Sequence, residues 1–290
     1  MVRSPNLAEL FKLHKWADIV FENNPSLRLS WPQFLFSSKS VIAIRTRVSR
    51  EDGSFVLQDK LKKMALNRAH GVIAVSEAIR VSFFPKATVI GNPFRSGDFK
   101  NLALKRDPLS FVFLGRLVSE KGVHIALESL RQICTQYSDD QKKPYLKIIG
   151  DGPELENLQN LVVQKGLQKQ VEFKGKRVGE ELVEILNTCK YMLVPSANEA
   201  FGNVVLEGMA CGCLPIVSDC GGLPDAVGNA GVIFKTYSPD ALTNAINGLI
   251  NNPILEDEYR SNIEAHLEQH LPERIARKYL NVIENAYQKR

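Results

Sequence analysis

The chain has 290 residues, 44% of them hydrophobic and 24% charged, which is enough to bury one or two ordinary cores. No apolar run approaches the roughly 18 residues of a membrane span, and the N-terminus lacks the apolar stretch of a secretory signal. The net charge of +5 is unevenly placed: residues 1–108 hold 18 Lys and Arg against 9 Asp and Glu, and the remainder is acidic. A basic half suits an anionic partner, although a solvated basic face would have the same composition. Aromatic residues are not interleaved with the basic ones, so nucleic acid is not expected.

Four strand-like runs are read in the first 108 residues: ADIVF, SVIAI, GVIAVS and ATVIG. Helical spacing in LAELFKLHKW and LQDKLKKMALNRA falls between some of them. The stretch 91–108, GNPFRSGDFKNLALKRDP, is rich in Gly, Pro, Asn and charge and reads as a boundary. Beyond it, the strand-like runs FVFLG, YLKIIG, VEFKG, YMLVPS and LPIVSD alternate with helical patterns, and the chain ends in two more, DALTNAINGLI and RIARKYLNVIENAYQ. Short apolar strands alternating with helices predict an α/β fold with parallel sheets covered on both faces. The five cysteines form no CxxC pair, so free thiols in a reducing cytoplasm are expected. Cys211 and Cys213 read as small core residues rather than metal ligands.

Open α/β sheets take ligands beyond the carboxyl ends of their strands. After FVFL comes Gly115-Arg116-Leu117-Val118-Ser119-Glu120-Lys121-Gly122, in which two cations share one strand-to-helix turn. Such a turn can aim both at a dianion, or can simply be a solvated loop. It is neither a GxxxxGK[ST] loop nor a GxGxxG fingerprint. After YMLVPS, Glu199 lies just ahead of a predicted helix and Glu207 within it, with Gly202 at its start. These carboxylates can accept bonds from sugar hydroxyls, or can cap and solvate the helix. The paired glycines of Cys220-Gly221-Gly222-Leu223-Pro224-Asp225 give a backbone that a ligand can pass, or a tight loop.

Taken together, G-R-L-x-x-x-K-G, I-x-G-D-G-P, V-x-F-x-G, P-S-x-x-E-x-F-G-x-x-x-L-E-x-M-A and G-G-L-P-D, in that order, resemble the C-terminal domain of family 4 GT-B glycosyltransferases over about residues 110–250. The resemblance implies two Rossmann-type lobes facing a cleft. The donor-binding lobe is expected over 109–271, and a partial acceptor-side lobe over 1–108 with 272–290 crossing back to it. It also implies a metal-independent hexosyltransferase that retains anomeric configuration, with a UDP- or GDP-sugar as substrate and no cofactor. No D-x-D metal motif is present. By the same resemblance, Arg116 and Lys121 would bind the diphosphate and Glu207 the ribose. Glu199 would meet the sugar near the reacting carbon, as the catalytic residue. Gly115 and the backbone of Phe201, Gly202 and Asn203 would hold phosphate and sugar, and Lys176, Arg177 and Val178 would lie against the base.

Two departures fall on the acceptor side. The family's opening strand, Gly-rich turn and first α/β units are not matched, and Arg45-Thr46-Arg47 stands where a His often follows the strand SVIAI. The acceptor is expected to be a glycan or a lipid-linked molecule, and the enzyme cytoplasmic. The Leu, Phe, Trp and Lys content of residues 7–16 suggests peripheral contact with a membrane. The alternative is a nucleotide-sugar-binding chain that is inactive alone and needs a partner for the missing strands.

Overall fold

The protein, a computed structural model, is described over residues 6–36, 38–46, 57–138 and 141–288. Arg47 lies outside them. The chain divides into two units, 1–92 with 273–290, and 93–272.

The first unit begins with helix α1 (Leu7–Trp16), capped by Asn6, whose side chain accepts the Glu9 N–H at 2.9 Å. Strand β1 (Ile19–Asn23), helix α2 (Leu27–Ser30), a 3-10 turn at Trp31–Phe34 and strand β2 (Lys39–Ile44) follow. Helix α3 (Leu57–Arg68), strand β3 (Gly71–Ala74), helix α4 (Glu77–Phe83) and strand β4 (Thr88–Val89) complete the run. The four strands form one parallel sheet in the order β1-β2-β3-β4. Side chains alternate across it. Val41, Ala43 and Ile73 pack against Ile275, Val282, Ile283 and Ala286 of the last helix of the chain, which therefore belongs to this unit. Ile42 and Ile44 point to the opposite face and are wholly buried.

The second unit holds strands β5 (Ser110–Leu114), β6 (Tyr145–Ile149), β7 (Val171–Gly175), β8 (Tyr191–Val194), β9 (Leu214–Ser218) and β10 (Val232–Phe234). Between them run helices α5 (Val123–Cys134), α6 (Leu155–Gln164), α7 (Gly179–Asn187), α8 (Asn203–Ala210) and α9 (Leu223–Val227). Helices α10 (Pro239–Ile250) and α11 (Pro253–Gln269) follow, each with Pro in its first turn and a capping Ser238 or Asn252. Helix α12 (Pro272–Gln288) is the one that returns to the first unit. All six strands are parallel, in the order β10-β9-β8-β5-β6-β7. Both faces are covered, and Phe111, Phe113, Leu146, Ile148, Tyr191 and Ile216 form the core between the helical layers.

The observed division falls at Asn92 and Pro93 rather than at the expected residue 108. The segment 93–108 is fastened to the second unit by side chains. Asn187 accepts the Leu102 N–H at 2.7 Å and donates to the Lys100 carbonyl at 3.0 Å, and Arg106 donates to the Cys211 carbonyl at 2.7 Å. Glu256 on α11 ties that helix to β8, bonding the Tyr191 hydroxyl at 2.7 Å, Lys190 at 2.8 Å and Arg260 at 2.7 Å. Cys211 and Cys213 are wholly buried, and burial pushes the Cys211 thiol up to about 11.

Candidate active site

The strand order sets the place of the site. From β5 the chain steps to β6 on one side, then returns to β8 on the other side of β5. The loops leaving β5 and β8 therefore diverge and open a crevice at their carboxyl ends, where open parallel sheets take ligands.

The loop after β5 is pinned to the sheet by Gly115 N–H to the Ile149 carbonyl at 3.0 Å and Leu117 N–H to the Asp151 carbonyl at 2.9 Å. Leu117 is wholly buried, while Arg116 beside it is 75% exposed and reaches Glu120 at 3.8 Å. The loop then tightens into a 3-10 turn over Ser119–Lys121 and passes through Gly122 in the left-handed conformation, φ 71°. A Cβ at that glycine would lie 2.0 Å from the Pro195 carbonyl oxygen, so the loops after β5 and β8 meet backbone to backbone. The Ala197 N–H donates to the Glu120 carbonyl at 2.7 Å across this junction.

That junction brings Lys121 and Glu199 into an ion pair, each side chain largely shielded. The loop after β9 fixes the Glu199 main chain, whose carbonyl accepts the Gly222 N–H at 3.0 Å. Cys220 and Ser218 donate to the carbonyls of Ala197 and Ser196, holding the same loop from below. Gly202, φ 101°, turns the chain into α8, and a Cβ there would come within 2.5 Å of the Leu223 side chain. Phe201 is buried and packs on the His270 ring, centroids 5.5 Å apart. Asn203 is the exposed first residue of α8.

Glu207 sits in the second turn of α8 and pairs with Arg95, not with Lys121. Burial pushes its carboxyl up, and Arg95, 3.5 Å away, pulls in the opposite direction. On the far side of β5, Gly115, Arg116, Lys176 and Arg177 line one cavity of about 410 Å³ with Gly150, Asp151 and Gly152. Arg177 also pairs with Glu181 at 2.8 Å. Val178 is 69% exposed and is not among that cavity's lining residues.

The residues singled out from sequence thus form three groups: the Arg116, Lys176 and Arg177 cavity, the Lys121–Glu199 pair with the turn into α8, and Glu207 with Arg95. Arg116 and Lys121 do not share a partner. Arg95, Asp151 and His270 were not singled out from sequence. The I-x-G-D-G-P motif carries a signal for Asp151, whereas Arg95 and His270 lie in segments without one.

The arrangement matches known proteins. The family model described as "Glycosyl transferases group 1" matches residues 94–266. An uncharacterized glycosyltransferase of Methanocaldococcus jannaschii is 29% identical over 69% of this chain and 56% of its own length. A D-inositol 3-phosphate glycosyltransferase of Corynebacterium jeikeium is 34% identical over 51% of this chain and 36% of its own length. The chain thus spans about half, or less, of these relatives. Among solved structures, Anabaena HepE in complex with UDP superimposes with a TM-score of 0.79 at 20% identity, over 95% of this chain and 80% of that one, which fixes the fold as GT-B. With a family match that runs from Phe94 through both β5 and β8 loops to α11, this chain belongs to the group 1 glycosyltransferases.

Proposed function

We propose that the chain transfers a hexosyl unit from a UDP- or GDP-sugar to a glycan or lipid-linked acceptor, with retention of anomeric configuration. The observation that carries this reading is the Lys121–Glu199 pair at the mouth of the β5/β8 crevice, directly ahead of the N-terminus of α8. A diphosphate placed there meets Lys121 and the first N–H groups of α8, and Arg116 closes on it from the loop after β5. Two cations and a helix N-terminus stabilise negative charge on the departing diphosphate without a divalent ion. Glu207 accepts bonds from the ribose, and Lys176, Arg177 and Val178 lie against the base.

In this reading Glu199 is the catalytic residue. It meets the sugar beside the carbon whose bond to the diphosphate breaks, where positive charge grows. The departing phosphate takes the acceptor's proton on the same face, so no side chain need act as base. The relatives support the substrate class. One is named for D-inositol 3-phosphate, and HepE is bound to UDP.

The acceptor side belongs to the first unit. Trp16 is 83% exposed and Leu35 63%, beside Lys12 and Lys15, a composition that suits peripheral contact with a membrane from the cytoplasmic side. No helix among the described residues is long and apolar enough to cross one. A second reading has support in β1, which among the described residues is the edge strand of its sheet and pairs only with β2. An unpaired edge is a template for another polypeptide, so the chain would bind donor alone but turn over only with a partner.

The test is a screen of nucleotide sugars for thermal stabilisation, which mass action sets at about 2.7 kcal/mol for a hundredfold excess over Kd. Product analysis by NMR for anomeric configuration follows, run with and without EDTA. Stabilisation by UDP- or GDP-sugars and a retained anomer in EDTA are expected. No stabilisation by any nucleotide sugar, an inverted product, or a manganese requirement overturns the corresponding part. Donor binding without turnover gives the lead to the partner-dependent reading.

A further inference from the structure

Arg45 follows directly on β2, at the carboxyl end of the first unit's sheet. Its main-chain N–H donates to the Asn24 side chain at 2.7 Å, and Asn24 itself holds the left-handed conformation, φ 74°. One terminal nitrogen of the guanidinium donates to the Asn92 side-chain oxygen at 3.2 Å. The guanidinium carbon lies 5.4 Å from the centroid of the Tyr279 ring, which α12 supplies, and Tyr279 rests edge-on against Phe21 at 6.0 Å. Arg45 Nε is covered by protein and has no acceptor among the described residues.

Among the described residues the groups that hold this guanidinium are neutral: Asn92 is an amide, and burial pushes the Tyr279 phenol up, further from ionisation. Arg260 by contrast pairs with Glu256 at 2.7 Å and Arg131 with Glu128 at 2.6 Å, while Arg106, also held by neutral groups, spends its Nη2 on three acceptors within its own unit, the Asn101 and Asn187 side chains and the Cys211 carbonyl. Among the described residues no carboxylate plays that part for Arg45. A half-buried cation without a counter-charge carries a desolvation cost, and neutral supports fix its orientation without cancelling its charge. Such a guanidinium is prepared for an external anion, and its planar fork matches phosphate oxygens in a way that an ammonium does not. The carboxyl end of a parallel sheet is where α/β folds receive ligands.

We propose that Arg45 binds a phosphate ester of the acceptor. The assignment rests on the glycosyltransferase reading for the word acceptor, and on the Arg45 surroundings for the phosphate.

The experiment uses the full chain carrying Arg116→Ala and Lys121→Ala, which removes the two cations assigned to the donor. Inorganic phosphate and glycerol phosphate are titrated calorimetrically into this protein, then into versions that also carry Arg45→Met or Arg45→Lys. Arg45→Met is expected to weaken both probes by about tenfold to a hundredfold, and Arg45→Lys by less. In an otherwise unaltered chain, Arg45→Met leaves UDP binding unchanged. If the methionine variant fails to fold, the lysine variant decides. It keeps charge and stem but loses the fork, and its phosphate affinity still falls severalfold. Equal affinity with and without Arg45, or no binding of either probe, overturns the proposal.

Co-sedimentation with phosphatidylcholine vesicles doped with phosphatidylinositol, compared with phosphatidylcholine alone, separates the sources. Arg45-dependent sedimentation assigns a lipid headgroup, and Arg45-dependent binding of glycerol phosphate alone assigns a soluble ester. Failure of the unaltered chain to bind UDP removes the donor reading and leaves the Arg45 comparison standing.

Discussion

Lys121 and Glu199, delivered by two strands that are neighbours in the sheet but far apart in the chain, neutralise one another at the point where the loops after β5 and β8 touch. A diphosphate bound by Lys121 has to compete with that carboxylate. Replacing Glu199 by Gln removes the competitor and keeps the shape. Glu199→Gln is therefore expected to bind UDP or GDP at least as tightly as the unaltered chain, while kcat falls steeply. Lys121→Ala and Arg116→Ala should each weaken nucleoside-diphosphate binding by about one to two decades. Isothermal calorimetry and steady-state kinetics check both. Weaker nucleotide binding by Glu199→Gln would contradict the competition, and unchanged affinity in both cation variants would sink the phosphate assignment.

Glu207 is expected to separate from Glu199 kinetically. A carboxylate bonded to ribose in substrate and product alike contributes uniform binding, so Glu207→Gln should raise KM more than it lowers kcat. Burial raises the Glu207 carboxyl, and Arg95 restrains that rise. Arg95→Ala should shift the acid limb of nucleotide binding to higher pH, because the carboxylate protonates earlier without its cation. An unmoved acid limb would show that Arg95 does not tune Glu207.

Glu22 makes a stability prediction. It is the buried residue of β1, with Ser30 donating to one carboxyl oxygen, and its other oxygen has no partner among the described residues. Burial pushes its carboxyl up to about 7 from an ordinary 4.5. A raised carboxyl contributes stability that is full below the unfolded-state value and is lost as pH rises through the folded-state value. The first unit should thus weaken between about pH 4.5 and pH 7, by an amount on the order of 3 kcal/mol. Glu22→Gln should flatten that slope in urea unfolding monitored against pH. An unchanged slope would count against the shift.

Glu256 titrates in the opposite sense. Burial opposes its charge, but bonds from Lys190, Arg260 and Tyr191 outweigh burial and hold it below the usual carboxylate range. Its stability is present at neutral pH and lost as pH falls through that lowered value. Removing it leaves two half-shielded cations without their counter-charge, Arg260 keeping only the Gly212 and Lys190 carbonyls. Glu256→Ala should cost about 3–5 kcal/mol, read as a lower urea midpoint. A loss under about 1 kcal/mol would show the network to be solvated.

Trp16 tests the membrane reading. Trp16→Ala should reduce co-sedimentation with anionic vesicles at physiological salt without changing UDP affinity. Absence of sedimentation by the unaltered chain counts against peripheral contact.

The alternation of apolar runs in the second unit is written locally, because strands buried on both faces, such as SFVFL and YMLV, need nothing but apolar side chains. The glycines and charges after β5 and β8 were legible for the same reason: each sits within one turn. What was not legible depends on distant partners. Arg95 matters only because α8 places Glu207 beside it, and nothing around Arg95 announces this. Strand β10 is three residues long, with Ile233 44% exposed, too short for a period to appear. The 3-10 turn at Trp31–Phe34 contains Pro32, which breaks the helical spacing of the preceding LRLS.

Helix α12 gives the chain an order of assembly. The sheet of the first unit is made early, yet the helix that seals one of its faces is made only after the whole of the second unit. During synthesis, Val41, Ala43 and Ile73 present an open apolar face for as long as it takes to translate 93–272, while that stretch has everything it needs to close its own core. The inserted unit can fold first and on its own, and the segment ahead of it has to wait for the segment that follows it, exposed meanwhile to chaperones and to wrong partners.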